Sequence, residues 1–275
     1  MITFPQINPD IVSFSIGSLN LHIRWYGLFY VLSFILTFVL YKPFLKLRNI
    51  KLSKEHYESI IFYLMLGVIL GGRIGYILFY NLPYYIAHPM MVFAVWEGGM
   101  SFHGGALGVI IAGWIYCHRH KLNFYAMADA AIPIVAIGLG LGRLGNFING
   151  ELWGKPTALP WGMIFPGSDG VPRHPSQLYE LFLEGIVMFV ITFYLLKKLK
   201  KDGLVFWSFI GLYGIFRFLI EFVREPDEID FYTQFGFIFG FMSIGQFLSL
   251  IMIILSVLGF YKITTRHKEN PKPDK

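Results

Sequence analysis

Charged residues and cysteine are both scarce in this chain. Only 15% of the 275 residues are Asp, Glu, Lys or Arg, whereas a soluble domain has about a quarter. The one cysteine, Cys117, excludes an intrachain disulfide, and its place at the end of an apolar run indicates an inert thiol. By contrast, 55% of the residues are hydrophobic and 18% are aromatic. This composition predicts a protein surrounded mostly by hydrocarbon.

The chain also lacks the features of a nucleic-acid-binding protein and of a secreted precursor. Its formal charge is +6, but the basic residues lie in short clusters between apolar runs. They form no basic stripe with interleaved aromatic residues, so we expect no nucleic acid as a partner. Residues 1–23 contain no Lys or Arg ahead of an apolar core, and they therefore do not resemble a cleaved signal peptide.

Seven apolar runs approach the length of about 20 residues that a helix needs to cross the hydrocarbon. A transmembrane strand would be about half as long, and its side chains would alternate. The sequence therefore predicts an all-α, polytopic membrane protein with about seven transmembrane helices. The predicted spans are residues 25–41, 57–80, 100–117, 126–148, 178–196, 204–224 and 242–262.

The connections between these runs differ in charge. One alternating set contains 16 Lys and Arg residues, and the opposite set contains 2. Because basic loops stay in the cytoplasm, the N-terminus is predicted outside and the C-terminus in the cytoplasm. Residues 1–262 are predicted to form a single transmembrane catalytic domain that includes an outer loop, 149–177, rich in Gly, Pro and Trp. Residues 263–275 are predicted to form a disordered cytoplasmic tail.

Polar residues are concentrated at the outer end of the fourth span, where burial without a partner is costly. They are Arg143, Asn146, Asn149 and Glu151. Arg143 and Asn146 are three residues apart and therefore share a helix face. A snorkelling anchor would explain Arg143 alone, whereas so many polar groups at one helix end favour a site for a lipid headgroup.

The sixth span has a polar stripe of its own. Tyr213, Arg217, Glu221 and Arg224 follow one another at steps of 4, 4 and 3 residues, which places them on one helix face. Glu221 is expected to pair with one or both arginines, and this pairing leaves a surplus positive charge for an incoming anion. Arginine suits phosphate because its planar guanidinium donates two parallel hydrogen bonds. A purely structural ion pair is the alternative.

Three more residues lie toward the outer side of their spans. His103 precedes two glycines and fits either a general base or a hydrogen bond to a neighbouring helix. Tyr26 by itself would be ordinary for an interfacial tyrosine. Whether Arg73 and Arg224 contact substrate or only stabilise helix packing stays open.

Several catalytic motifs are absent. The sequence has no HExxH motif, no paired His and carboxylate ligands, and no GxSxG motif. We therefore expect no metal, no other cofactor and no serine nucleophile. The residues favour a transfer in which phosphate leaves and an external nucleophile attacks.

The segment from Gly142 to Gly154, GRLGNFINGELWG, closely resembles the signature of bacterial prolipoprotein diacylglyceryl transferases. The likeness covers nearly the whole chain, and the family's seven spans with an outer N-terminus agree with the loop charges. The other similar segments, in order, are RWYG at 24–27, GRIGY at 72–76, residues 96–105, RHPSQLYE at 173–180, YGIFRF at 213–218 and EFVREPD at 221–227.

The resemblance implies an enzyme of the bacterial cytoplasmic (inner) membrane whose active site faces the outer leaflet. It would transfer the diacylglyceryl group of phosphatidylglycerol, a membrane lipid, to the lipobox cysteine of a prolipoprotein signal peptide. The products would be a thioether and glycerol 1-phosphate, and the reaction would be the first step of lipoprotein maturation.

The resemblance also implies roles for individual residues. Arg143 and Arg217 would hold the lipid phosphate, and His103 would be the candidate base for the substrate thiol. An arginine field that lowers the pKa of the thiol would make such a base unnecessary. Tyr26 is a further catalytic candidate. The remaining candidates for substrate binding are Arg73, Asn146, Asn149, Glu151, Gly154, Tyr213 and Glu221.

Two other classes of protein compete with this interpretation. A transporter or channel for small anions would suit the buried arginines, but it should carry polar residues through to the cytoplasmic side and often has internal repeats. A scaffold for other membrane proteins would need only the glycine-rich helix contacts. It leaves His103 and Arg143 without an explanation.

Overall fold

The computed structural model describes residues 2–16, 19–95, 98–225 and 237–269. The chain divides into two compact units, 37–130 and the remainder (1–36 with 131–275). The helices are α1 (Trp25–Leu47), α2 (Lys54–Tyr80), α3 (Leu82–Ala87), α4 (Phe102–Arg119), α5 (Phe124–Asn149), α6 (Ser176–Glu180), α7 (Met188–Lys198), α8 (Leu204–Ile220) and α9 (Ile244–Glu269), with a 3₁₀ turn at Pro89–Phe93 and a π-helical segment at Leu181–Val187.

Five helices in the described part of the chain are long and apolar enough to cross a membrane. They are Trp25–Leu47, Lys54–Tyr80, Phe124–Asn149, Ser176–Lys198 and Ile244–Thr265. The prediction of a polytopic helical membrane protein is therefore confirmed. Helix α8 is apolar but has only 17 residues, and α4 is an 18-residue helix outside these five. The count of seven and the orientation of the termini stay predictions.

The described residues also form four short strands, which the prediction of an all-α protein does not include. The strands are β1 (Ile2–Thr3), β2 (Asp10–Ile16), β3 (Leu19–Arg24) and β4 (Met163–Ile164). Strands β2 and β3 pair antiparallel, and β1 pairs parallel with β4. Apolar and polar residues alternate in β2 and β3, which is the pattern of a strand. The apolar runs alone predict only an outer connection for this stretch.

The unit 37–130 is built around α2 and α4. Ser53 and Ser101 begin these helices as N-caps, each accepting a hydrogen bond from a backbone amide three residues later. The two helices approach so closely that a Cβ built on Gly75 would lie 2.7 Å from the Cα of Gly104. At the other end of these helices, the fully buried Tyr116 lies among the aromatic core residues. Small residues thus set this helix contact, as is common in membranes.

The larger unit contains α6 to α9, the strands, the first half of α1 and most of α5. Helix α8 packs along α9, where Ser256 Oγ donates to the backbone oxygen of Trp207 at 2.6 Å. Helices α6 and α7 join through the π-helical segment into one continuous span. Phe4, Phe147 and Phe165 form an aromatic core where β1 and β4 meet the end of α5. Helix α9 continues to Glu269, past the predicted boundary at 262, and 270–275 lie outside the described residues.

Candidate active site

A buried cluster of charges joins α5, α6, the π-helical segment and α8 within the larger unit. Arg143 Nε lies 3.1 Å from Glu180 Oε2, and Arg143 Nη2 lies 3.3 Å from Glu184 Oε2. Arg217 on α8 also contacts Glu180, with Nη1 2.6 Å from Oε1. Both Glu180 and Glu184 are fully buried. Glu180 therefore bridges the two arginines that the resemblance assigns to the lipid phosphate.

Glu221 and Arg224 extend this cluster beyond the end of α8. Arg217 Nη2 lies 2.5 Å from Glu221 Oε1, so the predicted pairing of Glu221 with an arginine is confirmed. Ser243 Oγ, just before α9, donates to Glu221 Oε2 at 2.9 Å. Arg224 Nε lies 3.5 Å from Glu180 Oε1. These contacts join the end of α8 to α6 and to the start of α9.

Among the residues that the structure describes, the cluster contains as many carboxylates as arginines. Its basic members are Arg143, Arg217 and Arg224, and its acidic members are Glu180, Glu184 and Glu221. The predicted surplus of positive charge is therefore wrong, because sequence reasoning left Glu180 and Glu184 out of the count. Two carboxylates four residues apart in an apolar span were the signal that would have identified them, since such groups are costly in a membrane.

A glycine contact brings Glu184 to Arg143. A Cβ built on Gly140 would lie 3.0 Å from the Cα of Gly185, so α5 and the π-helical segment approach each other backbone to backbone. Gly140 lies about one turn before Arg143, and Gly185 directly follows Glu184. π-Helical turns inside α-helices occur frequently at functional sites. Here the π-helical turns carry a carboxylate of the cluster.

A second polar group lies in the loop that follows α5. The side-chain amides of Asn146 and Asn149 both donate to Glu151 Oε1, at 2.8 and 3.1 Å. Gln177 Nε2 holds the backbone oxygen of Glu151 at 2.6 Å. The loop turns at Gly150, where φ is +66°. The structure therefore brings together three of the predicted residues and supplies Gln177 as a support that the sequence analysis had missed.

Two predicted tyrosines belong to the same unit. Tyr26 stands 3.3 Å from Tyr30, hydroxyl to hydroxyl, and its ring packs against Gly145 of α5. Arg143 and Glu151 are its electrostatic neighbours. Tyr213 lies near Arg143, where Glu184 and Arg217 also surround it. Both tyrosines therefore belong to the surroundings of Arg143.

Gly154 joins the outer loop to the end of α8. Its amide donates to the backbone oxygen of His174 at 2.8 Å, and it forms an isolated bridge with Arg224. The neighbouring amide of Lys155 donates to Val223 O at 2.8 Å. Burial and the charge of Lys155 lower the pKa of His174 below its ordinary value. The loop 149–177 is therefore hydrogen-bonded to the helix that carries Arg217.

The unit 37–130 contains Arg73 and His103. The guanidinium of Arg73 donates to five backbone oxygens at 2.5 to 3.2 Å, those of Met91, Val92, Ala94, Gly98 and Gly99. This arrangement favours a structural role for Arg73 over substrate binding. His103 is exposed in the first turn of α4, with its ring 5.7 Å from that of Phe102.

The predicted site residues thus fall in two groups. Tyr26, Arg143, Asn146, Asn149, Glu151, Gly154, Tyr213, Arg217 and Glu221 lie in the larger unit, whereas Arg73 and His103 lie in the unit 37–130. Cys117 is buried, which leaves its thiol out of reach of a substrate. Within the described ranges, no three His, Cys, Asp or Glu side chains form a group that could hold a metal ion.

Comparison with known proteins gives the same family along the chain. The family model described as prolipoprotein diacylglyceryl transferase matches residues 12–262. A protein of Geobacter sulfurreducens named phosphatidylglycerol–prolipoprotein diacylglyceryl transferase is 52% identical over 268 residues, which cover 98% of this chain and 99% of that protein.

Proteins of the same name in other bacteria are similar over the same length. That of Bordetella parapertussis is 47% identical over 268 residues, covering 97% of this chain and 98% of the relative. That of Legionella pneumophila strain Paris is 46% identical over 258 residues, covering 94% and 97%. Since the family model and these relatives all span nearly the whole chain, the protein belongs to the prolipoprotein diacylglyceryl transferase family.

Proposed function

We propose that this protein transfers the diacylglyceryl group of phosphatidylglycerol to the lipobox cysteine of prolipoproteins. The substrate sulfur attacks the carbon of the diacylglyceryl group that carries the phosphate. The bond between this carbon and the phosphate oxygen breaks, and a thioether forms. Glycerol 1-phosphate leaves with the oxygen of the broken bond, and the thiol proton ends on that product or in solvent. The names of the relatives contain the two substrates, and membership of the family gives the enzyme class, a transferase.

The observation that carries this proposal is the coupling of Arg143 and Arg217 through Glu180. In the described chain, Nη1 of Arg143 donates to no other group, and the Arg143 side chain keeps 16% of its surface exposed. Arg217 also keeps 16% exposed. Each guanidinium is thus fixed by carboxylates on one side, and Arg143 has a donor left for a phosphate oxygen. Fixed donors stabilise the negative charge that develops on the leaving phosphate.

The remaining predicted residues supply supporting roles. His103 is the candidate base for the substrate thiol, because its side chain is exposed and histidine is the commonest general base in enzymes. Glu151, fixed by two asparagine amides, contributes acceptors for the glycerol headgroup, and Tyr26 lines the same region. The nucleophile belongs to the peptide, which agrees with the buried position of the enzyme's own thiol.

We also propose that the site faces the outer leaflet of the bacterial inner membrane. The charge cluster lies where α5 and α8 end and α6 begins. The opposite ends of α7 and α8 meet at the basic stretch Lys197–Lys201. Because basic loops face the cytoplasm, the cluster belongs to the outer side. Both substrates, a lipid and an unprocessed signal peptide, are available there.

The outer loop 149–177 is the part of the larger unit that we propose contacts the peptide. It is rich in Gly, Pro and Trp, and it is hydrogen-bonded to the end of α8 through Gly154 and Lys155. This position lies beside the phosphate-binding arginines. The transport interpretation has less support, because the buried charges of the larger unit gather at one end of its helices and compensate one another.

The test is transfer by the purified protein in phosphatidylglycerol vesicles with a synthetic lipobox peptide. We expect the peptide to gain the mass of a diacylglyceryl group and glycerol phosphate to appear in equal amount. A Cys→Ser peptide should gain no mass. Arg143→Ala should abolish transfer, whereas the matched variant Arg119→Ala, at an exposed arginine on the basic side, should retain it.

The outcomes separate the function from the individual roles. Transfer by Arg143→Ala at the wild-type rate would remove the phosphate assignment. Transfer that survives in His103→Gln would remove the base assignment and leave the function intact. Folded wild-type protein that gives no mass gain in any lipid composition would overturn the proposed function.

A further inference from the structure

Glu184 is the least well paired carboxylate of the charge cluster. Its contacts to Arg143 are 3.3 and 3.4 Å long, whereas Glu180 lies 2.6 Å from Arg217. The other oxygen of Glu184, Oε1, is buried and accepts no hydrogen bond from any residue that the structure describes. Glu180 Oε2 also accepts none, but it lies 3.1 Å from the Arg143 guanidinium. A buried carboxylate with one long contact and one bare oxygen is poorly stabilised in its charged form.

The charge balance of the cluster makes this weak pairing consequential. Among the described residues joined by these ion pairs, three arginines face three carboxylates, so the arrival of a lipid phosphate adds one negative charge to a balanced set. In a buried site such an excess is unfavourable unless a group takes up a proton. The charged groups around Glu184 are Arg143 from α5, Arg217 from α8 and Glu180 on its own helix, with Tyr213 also beside it. The shortest arginine contact of Glu184 is 3.3 Å, whereas those of Glu180 and Glu221 are 2.6 and 2.5 Å, so Glu184 loses least when it is displaced.

We propose that Glu184 is a displaceable counter-ion that holds Arg143 until a lipid phosphate takes its place. On binding, a phosphate oxygen replaces Glu184 Oε2 at the Arg143 guanidinium. The Glu184 carboxylate takes up one proton from the buffered solvent and becomes a neutral carboxylic acid. Glu180 keeps its contacts to both arginines and maintains the distance between them. Glu184 is thus a positioning residue that acts through Arg143, and this inference rests on the proposed binding of a lipid phosphate.

Proton uptake at Glu184 gives the affinity for phosphatidylglycerol a defined pH dependence. Where free Glu184 is ionised and the complex holds it protonated, the dissociation constant rises with pH by up to about tenfold per unit. Glu184→Gln keeps the shape of the side chain and removes the titration. We expect this variant to bind phosphatidylglycerol more tightly at high pH and with little dependence on pH.

The experiment measures binding of phosphatidylglycerol to detergent-purified protein without peptide, between about pH 6 and 9, by calorimetry in two buffers of different ionisation enthalpy. Wild-type protein should take up close to one proton per lipid bound, and Glu184→Gln should take up none. Glu184→Asp, which restores a carboxylate, should restore the pH dependence even if Glu184→Gln folds poorly. Phosphatidylcholine serves as the zwitterionic control lipid.

Two results would overturn the inference. One is lipid binding by wild-type protein without proton uptake, and the other is Glu184→Gln with the wild-type pH dependence. The second result includes a Glu184→Gln variant that loses affinity equally at every pH, because Glu184 would then only support the structure. Transfer to the lipobox peptide is measured on the same wild-type preparation, so that failure of the proposed function is recognised separately.

Discussion

The ion pairs of Glu180 with Arg143 and Arg217 give the most direct test of how the charge cluster stabilises the protein. Glu180 is fully buried, and it contacts Arg143 and Arg217 at 3.1 and 2.6 Å. Glu180→Gln keeps the size of the side chain but removes its charge, which leaves two largely buried guanidinium groups short of a counter-charge. Breaking a buried pair by removing one partner destabilises a protein by about 3–5 kcal/mol. We expect a loss of stability at the lower end of this range, because Glu221 still pairs with Arg217.

The double variant separates the pair from its surroundings. Glu180→Gln alone leaves the positive charge of Arg217 without one of its counter-charges. The double variant Arg217→Met with Glu180→Gln removes that positive charge as well. We therefore expect the double variant to be more stable than the sum of the single losses predicts, with a coupling energy of about 1–3 kcal/mol. The assay is unfolding of the purified proteins in mixed micelles with increasing SDS, followed by circular dichroism.

The matched control is Glu58→Gln. Glu58 lies on the surface of α2, is half exposed and stands 3.8 Å from Lys54 one turn away. Such an exposed pair contributes about 0.3–0.5 kcal/mol, so this variant should unfold almost as the wild type does. Glu180→Gln with an equally small loss, or single losses that simply add in the double variant, would refute the bridging role of Glu180.

Three further predictions follow from single contacts. A Cβ on Gly145 would lie 2.8 Å from Tyr26 Cδ2, whereas a Cβ on Gly142 would have no described atom within 4 Å. Gly145→Ala should therefore lower kcat by moving the Tyr26 ring. Equal kcat values in Gly145→Ala and Gly142→Ala would contradict this. Because the pKa of His174 is lowered in the folded protein, His174 binds a proton in the unfolded chain before it does in the folded chain as the pH falls below about 6.5. Stability should therefore be lower near pH 5.5 than near pH 7.5, and thermal unfolding should show a smaller difference in His174→Gln. Arg73→Lys supplies fewer hydrogen-bond donors than the five carbonyl contacts of Arg73 use. This variant should lower the unfolding temperature more than Arg119→Lys does. Equal melting curves of the two variants would exclude the structural role of Arg73.

The sequence by itself determined the class of protein and the residues near the site. Long apolar runs specify membrane helices because the free energy of moving a segment from hydrocarbon into water depends on the residues of that segment alone. The arginines, asparagines and Glu151 stood out because polar groups are rare in such runs. The pairing of Glu221 with Arg217 also followed from local spacing, since residues four apart on a helix face each other.

Only the tertiary structure decided which charges meet. The contacts of Arg143 with Glu180 and Glu184 join segments about 40 residues apart, and they depend on the close approach of Gly140 and Gly185. Likewise, the spacing of Arg73 did not reveal that one loop would direct five carbonyl oxygens at it. Helix packing selects these partners, because the charge balance of a buried site depends on which faces meet and not on the composition of any one segment.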